Sequence, residues 1–479
     1  MASSQVCYGM VGVRRVRFLI QVVGYNSIMA DERASSEQNI QQARADLDVP
    51  SEHEDTAPAG VEPGYETGLT LRRRLLNRPT RLLIRQGQAL ARLALGVLGQ
   101  LTRDWREPLP PLTPGDPTIR RILVVRMDLL GDVVLSTAAV RALRRGYPQA
   151  TIDMLVPKSS APILLGNPDI QRVLTFNPSH LIPTRWLFLP AARREVRDFL
   201  RATRTPGYDL AVSVNGDIGS IVTRLTGARR RVGYAGEAYP YFMTDSLPGR
   251  RYDKPEHEVQ YILALAQAAG GVVMPEDAHP RLALDPQAQK HIAEVIAVER
   301  TQTSAQGPVV TLHAGARNGQ AKRWPTRYSA ALVDLLIERL DALVVLTGAP
   351  NEESLAAEVM RQLRNQRRPA LNLCGKTSLP ELAALLAASD VAVSGDSGPM
   401  HIACAVGAPV VVLHGPTDPG QSGPTDPNAI VLWNKVWCAP CYDPSATAEC
   451  RFGNPICMKG ITPWMAFAAV RRQLTNRQQ

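Results

Sequence analysis

From Ile119 to the C-terminus, short aliphatic runs alternate with longer stretches whose apolar residues recur at helical spacing. The runs Ile122–Val125, Thr151–Val156, Val173–Phe176, Leu210–Val214 and Arg231–Tyr234 read as strands. Runs this short and this uniformly apolar suit strands covered on both faces, as in a parallel sheet, rather than strands with one wet face. Val133–Arg145, Arg193–Arg201 and His257–Ala269 carry the 3.6-residue period of crossover helices. A mixed stretch, Gly270–Gly307, interrupts the pattern. It then restarts with strands Val309–His313, Ala342–Leu346, Ala370–Leu373, Val391–Val393 and Pro409–Leu413. Helices Tyr328–Leu340, Glu352–Leu363, Leu379–Ala388 and Met400–Val406 lie between them. The pattern predicts an α/β protein with two doubly wound sheets. A last helix, Pro463–Leu474, is expected to cross back and brace the first half.

The chain before Ile119 follows another pattern. Residues 1–68 are an extension whose later part is polar, acidic and poor in large apolar side chains, so it is expected to be disordered. Residues 69–117 are basic and then Pro-rich. Nine arginines from Arg72 to Arg106 oppose Asp104 and Glu107, while Leu83, Leu90, Ala94, Val97 and Leu101 form one apolar face. That segment suits a helix lying on an anionic lipid surface and equally a helix packed on the body of the protein. Pro108, Pro110, Pro111, Pro114 and Pro117 make the stiff linker that follows. The folded part divides into residues 118–300 and 301–479.

Composition narrows the partners. The 479 residues are 45% hydrophobic and 20% charged, which describes a soluble globular protein with an ample core. A net charge of +10 suits anionic partners. Aromatics make up 5% and no RNA-binding aromatic motif occurs, which argues against nucleic acid. No run approaches the ~20 apolar residues of a spanning helix. Phe18–Val23 follows Arg14, Arg15 and Arg17 but is short and lacks a clear cleavage site, so a cytoplasmic chain is expected. Translation can start at Met1 or at Met29.

Two strand-end loops carry the candidate chemistry. Val393-Ser394-Gly395-Asp396-Ser397-Gly398-Pro399-Met400-His401 runs from a strand into a helix. Its glycines permit a sharp turn and close approach, and Pro399 suits the first helical turn. Unpaired N–H groups and the positive dipole end at that helix start suit a phosphate or diphosphate. The second loop, Arg126-Met127-Asp128-Leu129-Leu130-Gly131-Asp132-Val133, also ends a strand, where ligands of open α/β sheets sit. Asp128 and Asp132 are both candidates for a base there, Asp128 otherwise capping the following helix or holding the loop, and Arg126 could orient the acceptor or Asp132, or pair with Asp128.

These two loops, with Leu312-His313-Ala314-Gly315-Ala316, Lys322-Arg323-Trp324-Pro325 and Leu346-Thr347-Gly348-Ala349, resemble glycosyltransferase family 9, the ADP-heptose:lipopolysaccharide heptosyltransferases. The resemblance runs from about Ile119 to the C-terminus. It implies a GT-B fold, two Rossmann-like domains facing a central cleft, with acceptor bound by the first and nucleotide sugar by the second. It also implies inverting transfer of heptose from ADP-heptose to a lipopolysaccharide core acceptor, without a metal, with Asp132 as general base and Arg126 and Asp128 on the acceptor side. On the donor side it implies Lys322 on the phosphates with Asp396, Ser397, Gly398 and His401. Glu353, or its neighbour Glu352, is expected at the ribose and Thr377 at the adenine. This chain has Gly315 and Ala316 where some members carry hydroxyl residues, leaving backbone N–H groups to serve. A family member using another nucleotide sugar, and a nucleotide-sugar epimerase of the same fold, are the alternatives. A dinucleotide oxidoreductase is weak because neither loop gives Gly-x-Gly-x-x-Gly. A lipid-anchored acceptor would place the protein peripherally on the inner face of the cytoplasmic membrane.

Cys438, Cys441, Cys450 and Cys457 cluster in a Pro- and Gly-containing segment near the C-terminus. Four thiols can hold a structural zinc, although the spacing is looser than in a zinc ribbon. Free thiols fit as well, and cytosolic reduction argues against disulfides. No cofactor is required by the expected chemistry.

Overall fold

The computed structural model describes residues 109–477 apart from 178–188, 215, 238, 250–255, 317–319, 365–369 and 443–448. The expected disordered extension 1–68, the expected basic helix of 69–107 and the first linker residue, Pro108, lie outside the described residues. Both sheets belong to one compact unit, Arg85–Gln479.

Strands β1 (Arg121–Val125), β2 (Thr151–Val156), β3 (Arg172–Thr175), β4 (Leu210–Ser213), β5 (Arg230–Tyr234) and β6 (Asp245–Leu247) form the first sheet, in the order β3-β2-β1-β4-β5-β6. The second contains β7 (Val309–His313), β8 (Leu343–Thr347), β9 (Leu371–Asn372), β10 (Val391–Gly395), β11 (Val410–His414) and β12 (Ile430–Trp433), ordered β12-β11-β10-β7-β8-β9. Every pairing is parallel. Read from its own first strand, each sheet has the same doubly wound order, which reverses between β1 and β4 and again between β7 and β10. Ligands bind at such reversals, beyond the strands' carboxyl ends. Both loops singled out in the sequence lie there, after β1 and after β10.

Helices α1 (Leu130–Gly146), α2 (Pro190–Arg204), α3 (Asp217–Leu225), α4 (Glu258–Ala268) and α5 (Pro286–Thr303) accompany the first sheet and the passage to the second. Helices α6 (Thr326–Leu340), α7 (Glu353–Arg361), α8 (Leu379–Ala388), α9 (Gly398–Ala405) and α10 (Pro463–Asn476) accompany the second. The predicted two-sheet α/β architecture is therefore the observed one. The stretch 270–307 holds a full helix, α5, which the pattern hid because only Ala288 and Ile292 are buried along it. Strands β6 and β12 are edge strands with no fully buried position; β6 (Asp245-Ser246-Leu247) lacks the apolar signature, whereas β12 (Ile430-Val431-Leu432-Trp433) carries it and is not among the expected strands.

One hydrophobic core runs through both sheets. Ile122, Val124, Val133, Val140 and Leu143 of the first half share it with Leu382, Met400, Ile402, Ala405 and Val412 of the second. Helix α1 packs on α9, and α8 packs on the short helical turn Ala161–Leu164. The last helix does not brace the first half as expected. α10 packs on α6 and on β10, β11 and β12, and the Gln473 amide donates to the Val410 and Asn428 carbonyls at 2.9 and 2.8 Å. Buried Ala466, Phe467, Ala469 and Val470 face that sheet's own core, which accounts for the helix remaining there.

Candidate active site

Arg126, the residue after β1, is fully buried. A buried guanidinium needs counter-charge and oxygen acceptors, and three elements supply them. Its NH2 lies 2.6 Å from Asp132 Oδ1 and 3.6 Å from Asp128 Oδ2. NH1 and NH2 both donate to Glu258 Oε1 at 3.1 Å, and NH1 donates to the Val214 carbonyl at 2.8 Å. Asp132 occupies the first turn of α1, where the helix dipole favours negative charge. Its side chain is 17% exposed, against 30% for Asp128. Arg126 is thus nearer Asp132 than Asp128.

The helix start of the second half meets this loop closely. A Cβ at Gly131 would fall 2.5 Å from His401 Cδ2, and one at Gly398 would fall 3.2 Å from Leu130 Cδ2. Gly131 is required here by proximity, since contacts under 3.0 Å are not tolerated without displacement. Burial pushes the His401 imidazole down to about 4 despite Asp396 and Asp132 nearby, so the ring is neutral, and its Nδ1 finds no partner.

In the second half, Lys322 Nζ lies 2.8 Å from Asp396 Oδ2 and 4.1 Å above the Tyr442 ring. The Ser422 hydroxyl donates to the same Asp396 oxygen at 3.3 Å. Burial alone would raise Asp396, but Lys322, His414 and His401 hold its carboxyl below the usual range. Ser397 does not cap α9. Its hydroxyl instead meets His313 Nδ1 at 3.2 Å and the Ser394 hydroxyl at 3.1 Å. His313 Nε2 meets Glu352 Oε2 at 3.3 Å, and the Ala349 N–H donates to that oxygen at 2.9 Å. Burial opposes ionisation of Glu352, yet His313 and the Ala349 N–H keep its carboxyl lowered.

The structure separates the two ribose candidates. Glu352 is buried in the His313 network, and a Cβ at Gly315 would collide with its carboxylate. Glu353 is exposed at the start of α7. It reaches Gly375, which has φ +74 and where a Cβ would collide with the Glu353 carboxylate. Thr377 lies two residues beyond, so Glu353 and Thr377 share the β8–β9 end of the sheet.

Cys438, Cys441, Cys450 and Cys457 are all free thiols, and among the described residues no group of three or more His, Cys, Asp or Glu side chains is gathered so as to hold a metal. Burial pushes the Cys441 thiol up, as do Cys438 and Cys450 close by. The N–H groups of Cys441 and Tyr442 donate to the Pro416 carbonyl at 2.8 and 2.9 Å, which pins this segment beside β11 and places Tyr442 against Lys322.

The structure thus gathers Arg126, Asp128, Asp132 and His401 at one point, and Lys322, Asp396, Ser397 and Gly398 beside it. Sequence reasoning missed Glu258, His414, Ser422 and Tyr442 as neighbours of the site, and gave His313 no role although it lies in a quoted motif. His313 and His414 end β7 and β11, so the strand-end rule that found Asp132 would have found them too. Glu258 and Tyr442 lie outside any strand-end loop and carried no such signal.

Residues 196–451 match the family model described as glycosyltransferase family 9 (heptosyltransferase). The chain is 29% identical over 318 residues to lipooligosaccharide heptosyltransferase 2 of Haemophilus influenzae, covering 65% of this chain and 88% of that one. It is 30% identical over 317 residues to lipopolysaccharide heptosyltransferase 2 of Escherichia coli, covering 65% and 87%. The solved structure of E. coli ADP-heptose lps heptosyltransferase II superposes with a TM-score of 0.59 at 24% identity, over 75% of this chain and all (100%) of that one.

Proposed function

Because the chain belongs to glycosyltransferase family 9, we propose that its site moves a heptose from ADP-heptose onto a lipopolysaccharide core acceptor in a single inverting displacement. The acceptor hydroxyl attacks the anomeric carbon from the face opposite ADP. Its proton passes to Asp132, the new C–O bond forms, and the old one breaks with its electron pair leaving on the ADP diphosphate. Lys322, the N–H groups at the start of α9 and the Ser397 hydroxyl offset the charge that develops there. Protein groups meet that charge, so the step uses no metal ion. Glu353 takes the ribose hydroxyls and the backbone at Thr377 takes the adenine.

One observation carries this reading. A carboxylate, Asp132, is held 2.6 Å from a buried arginine, and its neighbour Gly131 presses on a neutral histidine of the other half, His401, which follows an uncapped helix start and feels both Asp132 and Lys322. Base, leaving-group donors and the sheet reversals coincide. Asp132→Asn keeps the shape and removes the base. Mass spectrometry of full-length protein with ADP-heptose and core-truncated lipopolysaccharide should show turnover reduced by about 100-fold or more, with ADP affinity retained. Near-normal product formation would remove Asp132 from the mechanism.

Among the described residues no helix is long and apolar enough to cross a membrane. We place the enzyme on the inner face of the cytoplasmic membrane through the basic segment 69–107, which lies outside the described residues. Deleting residues 1–110 should abolish sedimentation with anionic liposomes and leave ADP binding intact. Equal sedimentation of the truncated protein would refute that anchor.

A further inference from the structure

Glu258 is far from β1 in sequence and lies in no recognisable motif, yet it is 2% exposed directly behind the site. A carboxylate removed from water needs a partner. Its Oε1 accepts from both terminal nitrogens of Arg126 at 3.1 Å, while the same NH2 reaches Asp132 at 2.6 Å. One guanidinium is therefore divided between the carboxylate at the cleft and a second one on its far side. The Val214 carbonyl, 2.8 Å from NH1, fixes the plane of the fork.

We propose that Glu258 is a positioning residue for glycosyl transfer. By holding Arg126 and sharing its charge, it keeps Asp132 aimed into the cleft and basic enough to take the acceptor proton. The proposal rests on Asp132 being the base. An undivided arginine at this distance would stabilise the Asp132 carboxylate and weaken it as a base. Without a fixed arginine the carboxylate would lose its orientation. Also near Asp132 are Asp128, 3.6 Å from the same arginine nitrogen, and the neutral ring of His401 from α9.

Several titratable groups lie behind Glu258. Tyr234, Tyr261 and Glu237 share a small recess with it. Burial, then Tyr261 and Glu258, push Tyr234 up, so it remains a neutral phenol donating to the Tyr261 carbonyl at 2.9 Å. His257, the preceding residue, accepts from the Val259 N–H at Nδ1 and so donates from Nε2 to the Gly423 carbonyl at 3.1 Å. Burial lowers it, so it too is neutral. The start of α4 thus holds the arginine with one residue and the second half with the one before.

Glu258→Gln preserves shape and a carbonyl acceptor while deleting the charge. In full-length enzyme with ADP-heptose and core-truncated lipopolysaccharide, followed by ADP release, kcat should fall on the order of tenfold. KM for ADP-heptose should stay within about twofold. The acid limb of the kcat/KM profile should move down by about one pH unit, and Glu258→Asp should return it toward wild type. A wild-type limb and turnover in Glu258→Gln would overturn the proposal. So would equal losses in both variants with an unmoved limb, which would mark a merely structural carboxylate. Asp132→Asn measured alongside separates the two ideas. If it is inactive while the Glu258→Gln limb is unmoved, Glu258 alone is misassigned; if it still turns over, the base and the proposal fall together.

Discussion

Lys322 and Asp396 neutralise one another at the mouth of the second sheet, with Nζ 2.8 Å from Oδ2 and both side chains largely buried. A diphosphate arriving there competes for an ammonium that is already paired. Asp396→Asn should leave that ammonium without counter-charge and destabilise the free protein by about 3 kcal/mol. ADP should then compensate, giving a larger rise in melting temperature than in wild type, whereas Lys322→Ala should show almost none. Equal ADP-induced shifts in all three proteins would show that the diphosphate binds elsewhere.

His401 makes stability depend on pH in a defined window. Its folded value of about 4 lies below the ordinary imidazole value of 6.5. The unfolded chain therefore binds the proton first as pH falls. Stability is full above about 6.5, declines as pH falls toward 4, and levels off below that as far as this group is concerned. Burial lowers His257 and His414 too, so they add to the same decline. The lowered carboxylates Asp396 and Glu352 act at the acid end, below their unfolded values of 3.8 and 4.5. Thermal melts should show the midpoint dropping between pH 7 and pH 5, and His401→Asn should flatten that slope. An unchanged slope would mean that His401 is not buried neutral.

Gly131 and His401 fit only because one has no Cβ. Gly131→Ala would place a methyl carbon 2.5 Å from the imidazole, so the ring or the helix carrying it must move. Transfer should fall at least about tenfold, since a displacement of this size misaligns the two halves of the site. ADP binding should change little. The double variant Gly131→Ala/His401→Ala should recover transfer above Gly131→Ala alone if space is the cause. No recovery would mean that the alanine acts on the loop itself.

Protein groups alone meet the leaving diphosphate in the proposed step. Dialysed enzyme in excess chelator should therefore keep its initial rate within about twofold, and added magnesium should not raise it beyond that. A magnesium-dependent rate would place an ion on the diphosphate and reassign Lys322.

The strand-end loops were legible because their chemistry is local. Asp132 lies in the first turn of α1, and Asp396 to His401 follow β10 directly, so strand, turn and helix could be read from consecutive residues. The sheets were legible for a related reason: strands such as Val391–Gly395, buried at every position, have no polar alternation. Glu258 and Tyr442 were illegible because their roles come from distant partners, across 132 residues for Glu258 and Arg126. The choice between Glu352 and Glu353 needed the glycines they press on, Gly315 and Gly375, which sit in other loops. The position of α10 was misjudged because an apolar face does not say which sheet it will cover.

The core shared by α1, α8 and α9 bears on how such enzymes can be recombined. Met400, Ile402 and Leu382 belong to the second half by sequence, yet they are buried together with Val133 and Val140 of the first. Cutting between the sheets would strand apolar surface on both pieces, so neither should behave as an independent cassette and the pair should melt as one endotherm. Grafting a relative's second half would have to carry the α1–α9 seam with it, or rebuild that seam residue by residue.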